Sequence, residues 1–245
     1  MICDMGSILR KYKGLLIFML VYWAICLLMQ ISDFRFSYIM IAWNTLLATL
    51  PLFFIHLSLL QNKRNKRIGA VLFGILWLIF FPNSVYMITD FIHISSDQLM
   101  WYKEVSRYSN KMMYSNDIMQ WIKLFVIGIG VVYGLLIGME SLYIFYRFLK
   151  RKLPQGISGL ILVGVSLISG FAVYIGRFLR FNSWDLIRPL SLLREVFTNI
   201  NRFTFEFTLA FAGFILILFL FYVLLCKNVV RDCKLDNLDD KSKGK

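Results

Sequence analysis

The sequence predicts an all-α protein, a polytopic helical membrane bundle of about six transmembrane helices with the third helix interrupted at Pro82. Three observations lead there. Hydrophobic residues make up 59% of the 245 positions and charged residues 17%, against about 45–50% and about 25% in an ordinary soluble domain. The apolar residues come in blocks of membrane-crossing length, since a helix needs about 20 of them to span about 30 Å of hydrocarbon. Lys and Arg are also shared unevenly between alternate connections, as in multi-pass membrane proteins. A water-soluble fold is therefore excluded.

Taken in order between consecutive charges, the blocks are residues 14–31, 36–60, 68–89, 124–139, 153–176 and 207–226. Lipid offers the backbone no hydrogen-bond partner, so each block is read as a helix and not as a strand. The first follows Arg10, Lys11 and Lys13 like a secretory signal. It lacks a small-x-small cleavage pattern and is longer than a signal core, which makes it an uncleaved first span. No lipidation motif is present. The fourth block is short between Lys123 and Glu140, but apolar residues continue on both sides over 119–146. Gly130, Gly134 and Gly138 on this span, and Gly159, Gly164 and Gly170 on the fifth, form small-residue ridges expected to pack these two helices together. Residues 1–226 are read as a single membrane domain. Residues 227–245 lose hydrophobicity, alternate in charge and are read as a mobile tail.

Orientation follows from counting. Seventeen of the 27 Lys and Arg fall in the N-terminal segment, the second and fourth connections and the tail. That side is expected to be cytoplasmic, with both termini there. The net charge of +13 then reads as basic loops facing anionic lipid headgroups, with no nucleic-acid partner. Cys3, Cys26, Cys226 and Cys233 avoid the outer loops, so no disulfide framework is expected, and no C-x-x-C pair suggests a thiol metal site. The outer connections carry Trp101, Tyr102, Tyr108, Tyr114 and Trp184, residue types that collect at the membrane interface. A short interfacial helix is expected after Asn182 or Ser183, its apolar side formed by Trp184, Ile187, Leu190, Leu193 and Phe197.

Two constellations carry chemistry. Beyond Pro82, which removes a backbone donor and is expected to kink or break the helix, Asn83, Tyr86, Asp90, His93 and Asp97 follow at steps of three, four, three and four. In a helix they form one polar stripe rising from membrane depth. The second is GRFLRFNSWD at 176–185. Arg177 and Arg180 offer fork-shaped donors suited to phosphate or carboxylate, followed by Asn182, Ser183, Trp184 and Asp185. Both lie at outer ends of their spans, so Asp90, His93, Arg177, Arg180 and Asp185 are expected to line one outward-facing pocket.

The PNSVYMITD and GRFLRFNSWD segments resemble two elements, P-N-x-x-Y-x-x-T-D and G-R-[FY]-x-R-x-N-S-W-D, of a family of bacterial multi-pass membrane proteins carrying a domain of unknown function. The resemblance extends from the second helix to the sixth. It implies a bacterial cytoplasmic-membrane protein and carries no catalytic assignment.

Each residue also has a structural reading. Asp90 with Arg177 or Arg180 would be a buried ion pair holding two helices in register. Asn83 would satisfy carbonyls freed by Pro82, and His93 would be an interfacial histidine. His56 lies on the opposite leaflet from His93, which argues against a bis-histidine haem. Glu140 would reach the interface or pair with a base, and Asn44 and Pro51 point to a kinked, polar-lined second span. Two function classes compete. One is an envelope enzyme or binding protein whose pocket takes an anionic or phosphorylated lipid such as a polyprenyl-phosphate, with Arg177, Arg180, Asn83, Tyr86, Asn182 and Trp184 binding and Asp90, Asp185 or His93 as candidate catalytic groups. The other is a small transporter or a non-catalytic accessory subunit, acting with a membrane-protein partner or as a homodimer. Motifs of known hydrolases and zinc enzymes are absent, and no cofactor is indicated.

Overall fold

The computed structural model describes residues 6, 10–33, 37–94, 99–106, 109–179 and 198–243. Its elements are α1 (Lys13–Asp33), α2 (Ser37–Lys63), α3 (Arg67–Tyr86), a 3₁₀ segment (Met87–Ile94), β1 (Met100–Ser106), β2 (Ser109–Tyr114), α4 (Ile118–Lys152), α5 (Gln155–Phe178) and α6 (Arg202–Lys243). Among the described residues six stretches are long and apolar enough to cross a membrane, the third being α3 together with the 3₁₀ segment. The protein is a multi-pass, helical membrane protein.

The chain divides into two compact units, Met1–Gly138 and Met139–Lys245. In the first, α2 and α3 form a tight helical hairpin. Asn65 closes it at φ 56°, a left-handed conformation that asparagine tolerates better than most residues. Lys66 N donates to Gln61 O at 3.0 Å, and Ser58 Oγ donates to Ala70 O at 2.7 Å. The core gathers Tyr22, Cys26 and Met29 from α1, Tyr38, Ile41 and Ala48 from α2, Met87 from the 3₁₀ segment, and Val126, Ile127 and Val131 from α4. Polar links stitch this apolar core where water cannot. Tyr22 Oη donates to Val126 O at 2.9 Å, Trp23 Nε1 to Thr45 Oγ1 at 3.0 Å, and Ser84 Oγ to Ala48 O at 2.8 Å. In hydrocarbon each of these groups would otherwise lack any partner.

The glycine ridge of α4 is used differently from the expected packing against the fifth span. A Cβ at Gly130 would collide with Tyr22, at Gly134 with Met87, and at Gly138 with Ser84. The ridge therefore admits α1, α3 and the start of the 3₁₀ segment. The reason is size: Tyr22 and Met87 are long side chains that need the space left by a missing Cβ. In the second unit, Gly170 of α5 faces the backbone of α6 at Thr208 and Ala212. There Tyr174 and Phe178 meet Phe203 and Phe207, with Phe178 edge-on to both at 5.1 Å between ring centroids.

Pro82 lies inside α3, and the helix continues to Tyr86 before tightening at Met87. The interruption of the third span is thus a change of helix type five residues after the proline. Proline deprives one carbonyl, that of Leu78, of its donor but leaves the following turn able to form. Two further features depart from the sequence reading. The connection after the third span contains an antiparallel hairpin pairing Met100 with Tyr114 and Ser106 with Ser109, with an irregularity between Glu104 and Ser106. Its β-prone residues Trp101, Tyr102 and Val105 carried the signal, but they read equally well as an interfacial aromatic cluster. The helix α6 runs without a break through the charged segment after Lys227 as far as Lys243. Its start is fixed by a reciprocal cap, Thr204 N donating to Asn201 Oδ1 and Asn201 N to Thr204 Oγ1, both at 3.1 Å, a variant of the capping box.

Candidate functional site

Asp90 sits in the 3₁₀ segment, 1% exposed. In a 3₁₀ helix side chains three apart eclipse one another, so Met87, Asp90 and His93 share a row. Met87 and Asp90 are both buried while Phe91 and Ile92 are exposed. The stripe expected from an α-helix is therefore replaced beyond Tyr86 by this three-residue row. Asn44 of α2 donates from Nδ2 to Asp90 Oδ2 at 2.9 Å. On the other oxygen, His93 Nε2 stands 4.0 Å from Asp90 Oδ1, with the Asp90 side chain 2% and the His93 side chain 41% exposed. The segment's end is held by Lys123 of α4, which is 3% exposed and donates from Nζ to His93 O at 3.0 Å. A cation is favourable at that position because the last carbonyls of a helix carry partial negative charge.

Asn44 and Lys123 are the contributions that sequence reasoning did not assign to this cluster. Asn44 was legible as a lone amide in an apolar span. Lys123 entered the count as a loop charge bounding the fourth span, although it is buried within the first turns of α4. That placement follows from the helix start, where Asp117 Oδ1 accepts from Met119 N at 2.9 Å and so caps α4 ahead of Lys123. Of the other residues in the first constellation, Asn83 Nδ2 donates to Phe80 O at 3.2 Å. This is a carbonyl of the same turn, not the Leu78 carbonyl freed by Pro82. Thr89 Oγ1 donates to Tyr86 O at 2.6 Å, at the junction between the two helix types. Asp97 lies outside the described residues.

Arg177 falls in the last turn of α5, in the second unit. Arg180, Asn182, Ser183, Trp184 and Asp185, and with them the expected interfacial helix, lie outside the described residues. Among the described residues no group of three His, Cys, Asp or Glu gathers closely enough to hold a metal ion. His56 is engaged elsewhere in the first unit, with Nδ1 3.0 Å from Leu52 O and Nε2 3.4 Å from Tyr12 Oη. Glu140 accepts from Tyr222 Oη of α6 at 2.8 Å.

The cluster around Asp90 has a definite chemical character. It places a carboxyl group in the third candidate span and an ammonium in the fourth, each held by a neighbouring helix or by backbone, beside a partly exposed imidazole. Ionisable side chains buried within membrane-spanning segments are costly, and each is by default a candidate for a functional role. A family model described as "Protein of unknown function (DUF1361)" matches residues 43–218, which include both constellations. No curated protein and no solved structure matches the chain.

Proposed function

The chain belongs to the DUF1361 family of proteins of unknown function, and from that premise we propose that it binds an anionic, phosphorylated envelope lipid or its precursor at the outer face of a bacterial cytoplasmic membrane. The observation that carries this reading is the burial of Asp90 and Lys123 within one span-end cluster, an arrangement that lipid packing alone does not require. The recognition elements are Arg177 and Arg180, whose planar donors match phosphate oxygens in a way that a lysine point charge does not. Asn182 and Trp184, from the same sequence motif, are proposed to bind with them. If the bound lipid also reacts, Asp90, Asp185 and His93 are the groups suited to acid–base work. The second reading, a small transporter or accessory subunit, draws on the change of helix type at Met87 within the third span, since transporters build their sites from discontinuous helices.

Two expected outcomes test this. With both termini cytoplasmic and six spans, single cysteines at Ser96→Cys and Ser191→Cys in a cysteine-free background react with an impermeant thiol reagent in intact cells. Lys241→Cys does not, and labelling of the tail from outside would reverse the orientation. For the ligand, native mass spectrometry of the detergent-purified full chain is expected to show a co-purified lipid phosphate. Arg177→Lys and Arg180→Lys keep normal membrane abundance but lose that adduct, along with complementation of an envelope phenotype. If lysine preserves both, the arginines serve as counter-charges only, and phosphate recognition is wrong.

A further inference from the structure

We propose that the start of α3 and the turn before it form a binding site for one anionic phospholipid, which uses neither Arg177 nor Arg180 and does not rest on the function proposed for them. The turn between α2 and α3 carries Lys63, Arg64, Lys66 and Arg67 within five residues, all four exposed. No Asp or Glu occurs between Asp33 and Asp90, so the helical hairpin has no carboxylate of its own to balance them. Lys66, at the N-cap of α3, makes no side-chain cap hydrogen bond. The first amides of the helix therefore add to the attraction that the four cations exert on a phosphate.

An apolar groove begins where this charge ends. Arg67, Ile68, Val71, Leu72 and Ile75 line a groove of about 410 Å³. Its four aliphatic residues follow the i, i+3, i+4, i+7 order of a single helix stripe. From Arg67 to Ile75 the stripe runs about 12 Å along the axis, at 1.5 Å per residue. Three of the four are β-branched and hold few rotamers, which keeps the groove in shape. The other side of α3 is taken by α2, where Gly69 stands against Gln61 and Gly74 against Ser58, and Phe54 stacks on Phe73 at 6.4 Å between ring centroids. The first unit leaves the stripe itself uncovered, with Ile68 87% and Ile75 51% exposed. Within a bilayer such a stripe meets acyl chains, while Lys and Arg at its end extend to the headgroup level. Charge selects the occupant. A second copy lying parallel on this face would bring two sets of the same four cations together, whereas an anionic lipid neutralises one set and lays a chain in the groove.

The test uses the purified full-length protein in phosphatidylcholine nanodiscs doped with either of two photoreactive lipids. One is phosphatidylglycerol with a diazirine on its acyl chain, and the other is the matching phosphatidylcholine, which has no net charge. Crosslinks from phosphatidylglycerol are expected to map to residues 68–75 and to exceed those from phosphatidylcholine there. Arg67→Gln should lower that preference about fivefold, the scale of one basic residue at an anionic surface. Changing Lys63, Arg64, Lys66 and Arg67 together to Gln should abolish it, and Arg177→Lys should leave it unchanged. Circular dichroism reports the helix content of each variant, and Arg67→Gln alone decides if the fourfold variant loses it. Equal labelling by the two lipids overturns the site, as does a preference that Arg67→Gln leaves intact. So does ready disulfide formation between copies by Leu72→Cys in a cysteine-free background, which would put a second copy on the stripe. Displacement of the crosslinks by inorganic phosphate at constant ionic strength would make a soluble phosphate the ligand and overturn it too.

Discussion

Asn44→Leu is expected to lower the stability of the folded protein by about 1.5–3 kcal/mol, the range for a hydrogen bond to a charged group. The substitution keeps most of the volume of the side chain but withdraws the N–H that meets Asp90 Oδ2 at 2.9 Å, leaving a buried carboxyl short of a donor. The double variant Asn44→Leu with Asp90→Leu should recover much of the loss, because removing both partners of a buried polar pair in favour of similar apolar shapes is close to neutral. The measurement is a double-mutant cycle on thermal unfolding in detergent. Strictly additive effects would show that Asn44 and Asp90 do not depend on each other. The same cycle bears on function: if the recovered double variant is stable yet inactive in cells, Asp90 is kept for its chemistry and not for the fold.

Gly170→Leu is expected to be at least as damaging in the second unit. A Cβ there would stand 2.7 Å from Thr208 O and 3.4 Å from Ala212 N. These are backbone atoms of α6, so no side chain can swing aside and the helix itself must shift, at a cost of about 1–3 kcal/mol or more for overpacking. The separation of α5 from α6 would also disturb the stack of Tyr174 and Phe178 on Phe203 and Phe207. Gly159→Leu on the same helix is the control, since a Cβ there meets no atom within 4 Å among the described residues. A large fall in the unfolding midpoint for Gly170→Leu with little change for Gly159→Leu is the expected result. Since leucine is the better helix former, propensity works against a loss at either site, and equal falls would mean that the close approach to α6 does not set the cost.

The spans were legible because membrane crossing is a local sum. Each of the six apolar blocks contains its own reason for being a helix, and each reappears as a helix long enough to cross. Asp90 and His93 were legible for a related reason, as ionisable groups standing at the end of an apolar run. Their surroundings were less so. The spacing of Asn83, Tyr86, Asp90 and His93 suited an α-helix throughout, whereas the segment from Met87 winds as a 3₁₀ helix and replaces one long stripe with the row of Met87, Asp90 and His93. The glycines of α4 announced a close contact without naming the partner, which proved to be Tyr22, Met87 and Ser84.

Composition and hydropathy alone thus established the class, the number of crossings and the positions of the charged groups that lipid would not tolerate unaided. The identity of their partners was settled by folding. Asn44 reaches Asp90 across 46 residues, Lys123 reaches His93 across 30, and Tyr22 reaches Val126 across 104. Periodicity extends over a few turns of one helix and carries no information about which helices meet. Burial of Lys123, which a linear count assigns to a loop, depends on where α4 begins and on the carbonyl that the 3₁₀ segment presents to it. In a bilayer the apolar faces of all helices are nearly equivalent, so the choice among packings falls to small-residue approaches and to polar groups that must find each other away from water.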